Sequence, residues 1–190
     1  SEGGSTEPEA SAPEPEPAWE PFVQPTLDPA RLATAVTRGE TVYRSNCAPC
    51  HGPSGDGRGP AARFLRVRPR DFTTGAYEFR TTPSGSLPTD ADILRTIRRG
   101  VPGTEMPAWA GRLPDSDLQA VTHYIKLFSP RFGTEEVLRP VPMPTSVPDF
   151  DDEARSRGRM LYVLMRCWTC HGIRGDGDGP AAGTLHDDAG

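Results

Sequence analysis

The sequence predicts an all-α fold built twice, and three observations carry that prediction. A 19-residue motif occurs at 47–65 and again at 167–185. Apolar residues elsewhere recur at three- and four-residue spacing, which is the signature of amphipathic helices. No strand-rich stretch precedes either copy of the motif. The expected organisation is a tether over 1–26, a first helical domain over 27–131, a Pro-rich linker over 132–151, and the N-terminal part of a second domain over 152–190.

Asp28 and Pro29 suit the N-cap and first position of a helix over about 28–45. Leu32, Ala35, Val36, Gly39, Val42 and Tyr43 fall on one of its faces. Thr89 and Gly100 bracket a helix over 90–99 with Ile93, Leu94 and Ile97 inward. A helix over about 116–128 follows, with Leu118, Val121, Ile125 and Phe128 as its stripe. His123 beside that stripe is expected at the surface. Pro130, Pro140, Pro142, Pro144 and Pro148 make 129–149 a semi-rigid linker. The second copy opens with a helix over about 152–166, whose Met160 and Met165 are expected to pack in a core.

The charge is segregated. The net charge is −5, yet residues 1–30 hold seven acids and no Lys or Arg. The remaining 19 acids face 21 bases, so the rest of the chain stands near +2. A nucleic-acid-binding domain would be strongly basic, so no nucleic-acid partner is expected. The Pro-, Glu- and Ser-rich start is too polar to fold alone. It reads as a tether able to join the domain to a membrane anchor or a partner. The longest apolar run, Met160–Met165, is six residues, far short of the roughly 18 a spanning helix needs. The start lacks the charged and apolar regions of a secretory leader, so a chain beginning at Ser1 is expected to have lost one already.

All four cysteines lie in the repeat, as Cys47-Ala48-Pro49-Cys50-His51 and Cys167-Trp168-Thr169-Cys170-His171. C-x-x-C-H is the attachment signature of c-type haem. Two thiols one helical turn apart can each form a thioether to a haem vinyl group, and the adjacent imidazole then reaches the iron. Cys47, Cys50, Cys167 and Cys170 are therefore the candidate attachment residues for two haems c, and His51 and His171 the candidate axial ligands. A shared four-cysteine zinc site or two disulfides would leave both histidines unexplained. A thioredoxin-like reading lacks its βαβ pattern.

The copies share C-x-x-C-H-G-x-x-G-D-G-x-G-P-A-A-x-x-L at an offset of 120 residues. Upstream, Arg38-Gly39 and Tyr43 match Arg157-Gly158 and Tyr162 at an offset of 119. The glycines allow a sharp turn and close backbone approach beside a large flat ligand; a phosphate-binding reading lacks the preceding strand and the Lys-Ser/Thr ending. Met106 lies in a Gly/Pro loop, Gly100 to Pro107, between two helices. A thioether held there is a candidate sixth ligand. Met143 in the linker is a weaker candidate.

Residues 39–51 (GETVYRSNCAPCH), the loop 100–107 (GVPGTEMP) and the helix at 116–128 resemble a class I cytochrome c domain. The resemblance covers about 27–131 and resumes at 152. It implies a small all-α fold wrapped round one haem, with first and last helices crossing at Gly39 and Tyr124 or Phe128 packed nearby. The tandem arrangement is similar to dihaem cytochromes c. Arg68-Pro69-Arg70-Asp71-Phe72 and Phe79-Arg80-Thr81-Thr82 resemble a dihaem subgroup of electron carriers and redox partners of larger enzymes. The second copy departs from the pattern: 19 residues follow His171, with no Met among them. His186 is the remaining candidate ligand there, and the reading expects a longer natural chain that completes this domain.

The expected function is single-electron transfer between periplasmic or membrane redox proteins, with no catalytic residues of its own. Two alternatives stand beside it: a haem-bearing subunit of a multi-subunit oxidoreductase, and a haem enzyme or sensor with an open second iron. Arg58, Arg63, Arg66, Arg68 and Arg70 could rim a docking surface or pair with haem propionates, or be ordinary solvated arginines.

Overall fold

The computed structural model describes residues 27–143 and 149–185. The tether, Pro144, Pro148 and His186 lie outside the described residues. Among the described residues seven helices follow one another: α1 Pro29–Asn46, α2 Ala48–His51, α3 Asp90–Arg99, α4 Asp115–Lys126, α5 Arg131–Thr134, α6 Asp152–Leu164 and α7 Trp168–His171. Short 3-10 turns lie at Ala62–Phe64 and Ala182–Thr184. Among the described residues there is no strand, only an isolated bridge between Ala110 and Leu113. No described helix is long and apolar enough to cross a membrane.

Helix α1 starts where the sequence places it. The Asp28 carboxylate accepts from Arg31 N at 3.0 Å and Pro29 occupies the first turn, which satisfies an orphan amide. The buried face of α1 is Gly39, Val42 and Tyr43. It crosses α4, whose Leu118, Ala120, Val121 and Ile125 are buried. Side chains such as Leu118, Val121 and Ile125 contribute about 1.5–3 kcal/mol each on burial. The crossing is tight because Gly39 lacks a side chain. A Cβ there would sit 2.7 Å from the Ala120 carbonyl carbon and 2.9 Å from Tyr124 Cβ. Tyr124, rather than Phe128, is thus the aromatic at the crossing.

Helix α3 is opened by a capping box between Thr89 and Asp92. Asp92 is fully buried. Its carboxylate accepts from Thr81 N and Thr89 N, both at 3.0 Å, and from Arg95 at 2.6 Å. Burial alone would raise this carboxyl; the donors outweigh burial and hold it below the usual carboxylate range. Lys126 reaches Asp90 at 2.7 Å, tying α4 to α3.

Three local expectations differ from what is observed. The start of the Pro-rich stretch packs rather than extends: Phe132 rests on the core, Arg131 donates to the carbonyls of Gly75 and Gly85, and Val141 N donates to Thr81 O. His123 is half-buried, with Nδ1 3.7 Å from the Asp90 carboxylate and no hydrogen-bond partner. Met160 and Met165 are exposed at 61% and 71%, as are Leu161, Val163 and Leu164. The apolar side of α6 has no helix against it among the described residues, unlike the matching side of α1.

Candidate functional site

The first motif is shaped by its backbone. Gly52 N donates to Ala48 O, Gly57 N to His51 O and Ala61 N to Pro49 O, at 2.8–2.9 Å. Gly52 adopts a φ of 79°, which a side chain would strain. Buried Tyr43 locks this turn to α1 by donating from Oη to Gly52 O at 2.7 Å. Its ring packs on Phe128 at 5.0 Å, Tyr124 at 5.4 Å and Phe72 at 6.5 Å.

This frame leaves an apolar cleft of about 400 Å³. Cys47, Cys50, His51 and Met106 all line it. They come from three separate places: the α1–α2 junction, the end of α2 and the loop between α3 and α4. Ile93, Ile97, Ile125 and Trp109 line the cleft as well. The Met106 loop is self-bonded: Val101 N donates to Met106 O at 3.2 Å, and Met106 N to Thr104 Oγ1 at 3.2 Å.

His51 is 9% exposed. Its Nδ1 lies 3.1 Å from the Arg70 carbonyl. A carbonyl can only accept, so Nδ1 carries the proton and Nε2 keeps its lone pair for a metal. Burial lowers the His51 pKa; the Arg70 carbonyl opposes this and the Arg70 guanidinium adds to it. Phe72 stacks on the imidazole at 4.5 Å and 19°. Burial, with a smaller push from Cys50, raises the Cys47 thiol to about 12.

The residues fit a haem by a further observation. Tyr77 lines the cleft, and its hydroxyl is buried with no hydrogen-bond partner. Such an orphan costs free energy unless something in the cleft pairs with it. A haem carboxylate is an acceptor of the required kind, and Arg70 lines the same wall. The competing readings lack their geometry: the four cysteines are unpaired, and among the described residues no three His, Cys, Asp or Glu side chains form a metal site.

Sequence reasoning alone did not find Phe72, Tyr77 or the Arg70 carbonyl. They lie in the irregular stretch after the motif, where no periodicity marks an inward face. The one available signal was the Arg68–Phe72 string, which ends on an aromatic.

The second motif repeats the turn bonds named for the first. Gly172 N donates to Trp168 O, Gly177 N to His171 O and Ala181 N to Thr169 O, each at 2.9 Å. Tyr162 Oη donates to Gly172 O, and Gly172 has a φ of 80°. Its surroundings differ: His171 is exposed, and Gly158, the counterpart of Gly39, meets nothing within 4 Å. A space of about 370 Å³ beside Trp168 and Gly172 is lined by neither His171 nor the cysteines.

A helical fold closing on a Cys-x-x-Cys-His turn, with a Met lining the same cleft, defines a c-type cytochrome. Comparison with known proteins agrees. Residues 34–125 match the family described as cytochrome c oxidase, cbb3-type, subunit III. Cytochrome c6 of Thermosynechococcus vestitus is 31% identical over 100 residues, which cover 53% of this chain and 76% of that protein. The cbb3-type cytochrome c oxidase subunit FixP of Bradyrhizobium diazoefficiens is 26% identical over 160 residues, 80% of this chain and 44% of that one. A chain of the Kuenenia stuttgartiensis reducing HAO-like protein complex superposes with a TM-score of 0.75 at 43% identity, covering 80% of this chain and 69% of that chain. The chain therefore belongs to the class I c-type cytochromes, whose cofactor is haem c. It spans less than half the length of the oxidase subunit FixP that it resembles.

Proposed function

We propose that this chain is an electron-transfer protein carrying two haems c. One is attached at Cys47 and Cys50 with His51 and Met106 as axial ligands. The other is attached at Cys167 and Cys170 with His171 as its proximal ligand. The observation that carries the first assignment is the convergence of both thiols, the oriented imidazole and Met106 on one apolar cleft. When bound, the haem supplies a one-electron iron couple, and His/Met ligation sets that couple high. The protein's own part is to hold the two ligands rigidly and keep water from the iron. His51 is fixed by Arg70 O and Phe72, and Met106 by its self-bonded loop. A filled coordination sphere at the first haem leaves no site for substrate there, which supports a carrier over an enzyme.

A second reading is favoured by a specific observation. The FixP relative is named as an oxidase subunit, and the Kuenenia chain comes from a complex. On that reading the chain passes electrons as a subunit of a larger oxidoreductase. The donor and acceptor are redox proteins in either case, and the compartment is the periplasm, with residues 1–26 as a tether to a membrane or partner. Purification under native conditions tests this: co-elution with an oxidoreductase supports the subunit, and a lone chain that is reduced and reoxidised by soluble partners supports the carrier. Haem stoichiometry by pyridine haemochrome tests the attachment sites, and one haem per chain would remove the second.

A further inference from the structure

We propose that Arg66 and Glu105 form a reciprocal clamp that holds the Met106 loop shut, and so set how readily the sixth position of the first haem opens to a small ligand. This rests on Met106 being the axial ligand.

Two stretches of chain form one edge of the cleft. Leu65 and Val67 line it from one side, and Thr104, Glu105 and Met106 from the other. Arg66 lies between the first two and Glu105 beside Met106. Each side chain reaches across the gap to the other stretch of backbone, and Arg66 is the donor in both bonds. The Arg66 guanidinium donates to Gly103 O at 2.9 Å, and the Arg66 backbone N–H donates to the Glu105 carboxylate at 3.3 Å. The nearby backbone amides, its own first and then those of Arg66 and Val67, hold the Glu105 carboxyl below its usual range. The bonds inside the loop, from Thr104 to Val101 O and from Met106 N to Thr104, shape it but tie it to nothing else. The base of the next segment is anchored separately, through Trp109 N to Ile97 O. Gly103 is exposed and a Cβ there would meet nothing. The outer tip of the loop thus has open space to swing into, and the clamp is what spans the gap.

Arg66 and Glu105 are both exposed. Exposed polar pairs add little to global stability. Their effect is on a local opening, in which the loop lifts while the helices stay folded. An external ligand competes for the iron only in that opened state, so its apparent affinity scales with the opened fraction.

The test is an imidazole titration of the oxidised holoprotein, read on the far-red Met-to-iron band that Met106→Ala abolishes. Arg66→Ala and Glu105→Ala should each raise the apparent imidazole affinity about fivefold. The double variant should fall short of the product of the two, because the bonds act as one unit. Arg66→Lys, which keeps a donor near Gly103 O, should recover part of the loss. The thermal midpoint should hold nearly constant throughout, a result a merely structural role would not give. Titrations of both single variants within about twofold of wild type overturn the clamp. If Met106→Ala leaves the band in place, Met106 is not the ligand, and it is the underlying assignment that fails.

Discussion

Alanine at Gly39 and alanine at Gly158 are the same substitution at the same place in the repeat, in opposite surroundings. In α1 the new methyl would lie 2.7 Å from the carbonyl carbon of Ala120, closer still to its oxygen, and 2.9 Å from Tyr124 Cβ. Two of these atoms are backbone, which cannot rotate away, so α1 and α4 must separate. Overpacking of this kind costs typically 1–3 kcal/mol, and a backbone obstacle places it at the upper end. Alanine's better helix propensity returns about 1 kcal/mol. The net expectation for Gly39→Ala is a loss of about 2 kcal/mol, or roughly 10 °C in melting temperature for a domain of this size. In α6 the methyl meets nothing within 4 Å, so Gly158→Ala should be neutral or stabilising by up to about 1 kcal/mol. Guanidinium unfolding of the holoprotein, followed by far-UV circular dichroism and Soret absorbance, measures both. Gly39→Ala at wild-type stability, or two variants equally damaged, would refute the packing argument.

Asp92→Asn should cost about 1–3 kcal/mol at neutral pH, since the amide brings a donor into a site already filled with donors. The folded carboxyl titrates below the unfolded one. Ionised Asp92 therefore adds stability above the ordinary aspartate value of about 4, and that contribution fades as the pH falls towards the folded value. The gap between wild type and variant should accordingly narrow in acid, and a gap that widens below pH 4 or so would contradict the assignment. Cys167→Ser with Cys170→Ser should halve the covalent haem per chain by pyridine haemochrome; an unchanged ratio would show that only the first motif is loaded. Met106→Ala should lower the reduction potential of the first haem and admit carbon monoxide to its reduced iron, and a potential equal to wild type would exclude thioether ligation.

Much of this molecule is legible in its residues because the carrying signals are local. The Asp28 cap, the Thr89–Asp92 box and the Gly100 stop are set by near neighbours, and the helices they bound form as the spacing predicts. The Cys-x-x-Cys-His turn is equally local, and its two copies fold alike. What escaped the sequence depends on contacts far along the chain. Phe72 stacks on His51 across 21 positions, and nothing in the string Arg70-Asp71-Phe72 fixes where that ring points. Phe132 looked like part of a linker because prolines surround it, yet its ring meets Tyr77 at 6.1 Å. Met160 and Met165 read as core because they neighbour Leu161 and Leu164 on an apolar helix; both are exposed, and Thr41, the α1 residue matching Met160, is exposed as well. A helical stripe reports which face is apolar, and only the rest of the fold says whether that face is covered.

The central claim is that the first cleft holds a six-coordinate haem ligated by His51 and Met106. Visible spectra of the Cys167→Ser, Cys170→Ser chain, oxidised and then reduced with and without carbon monoxide, test it on that haem alone. The account predicts a far-red Met-to-iron band in the oxidised protein and reduced bands that ignore carbon monoxide, with both properties lost in Met106→Ala. Reduced bands that shift with carbon monoxide before any substitution of Met106 would contradict it.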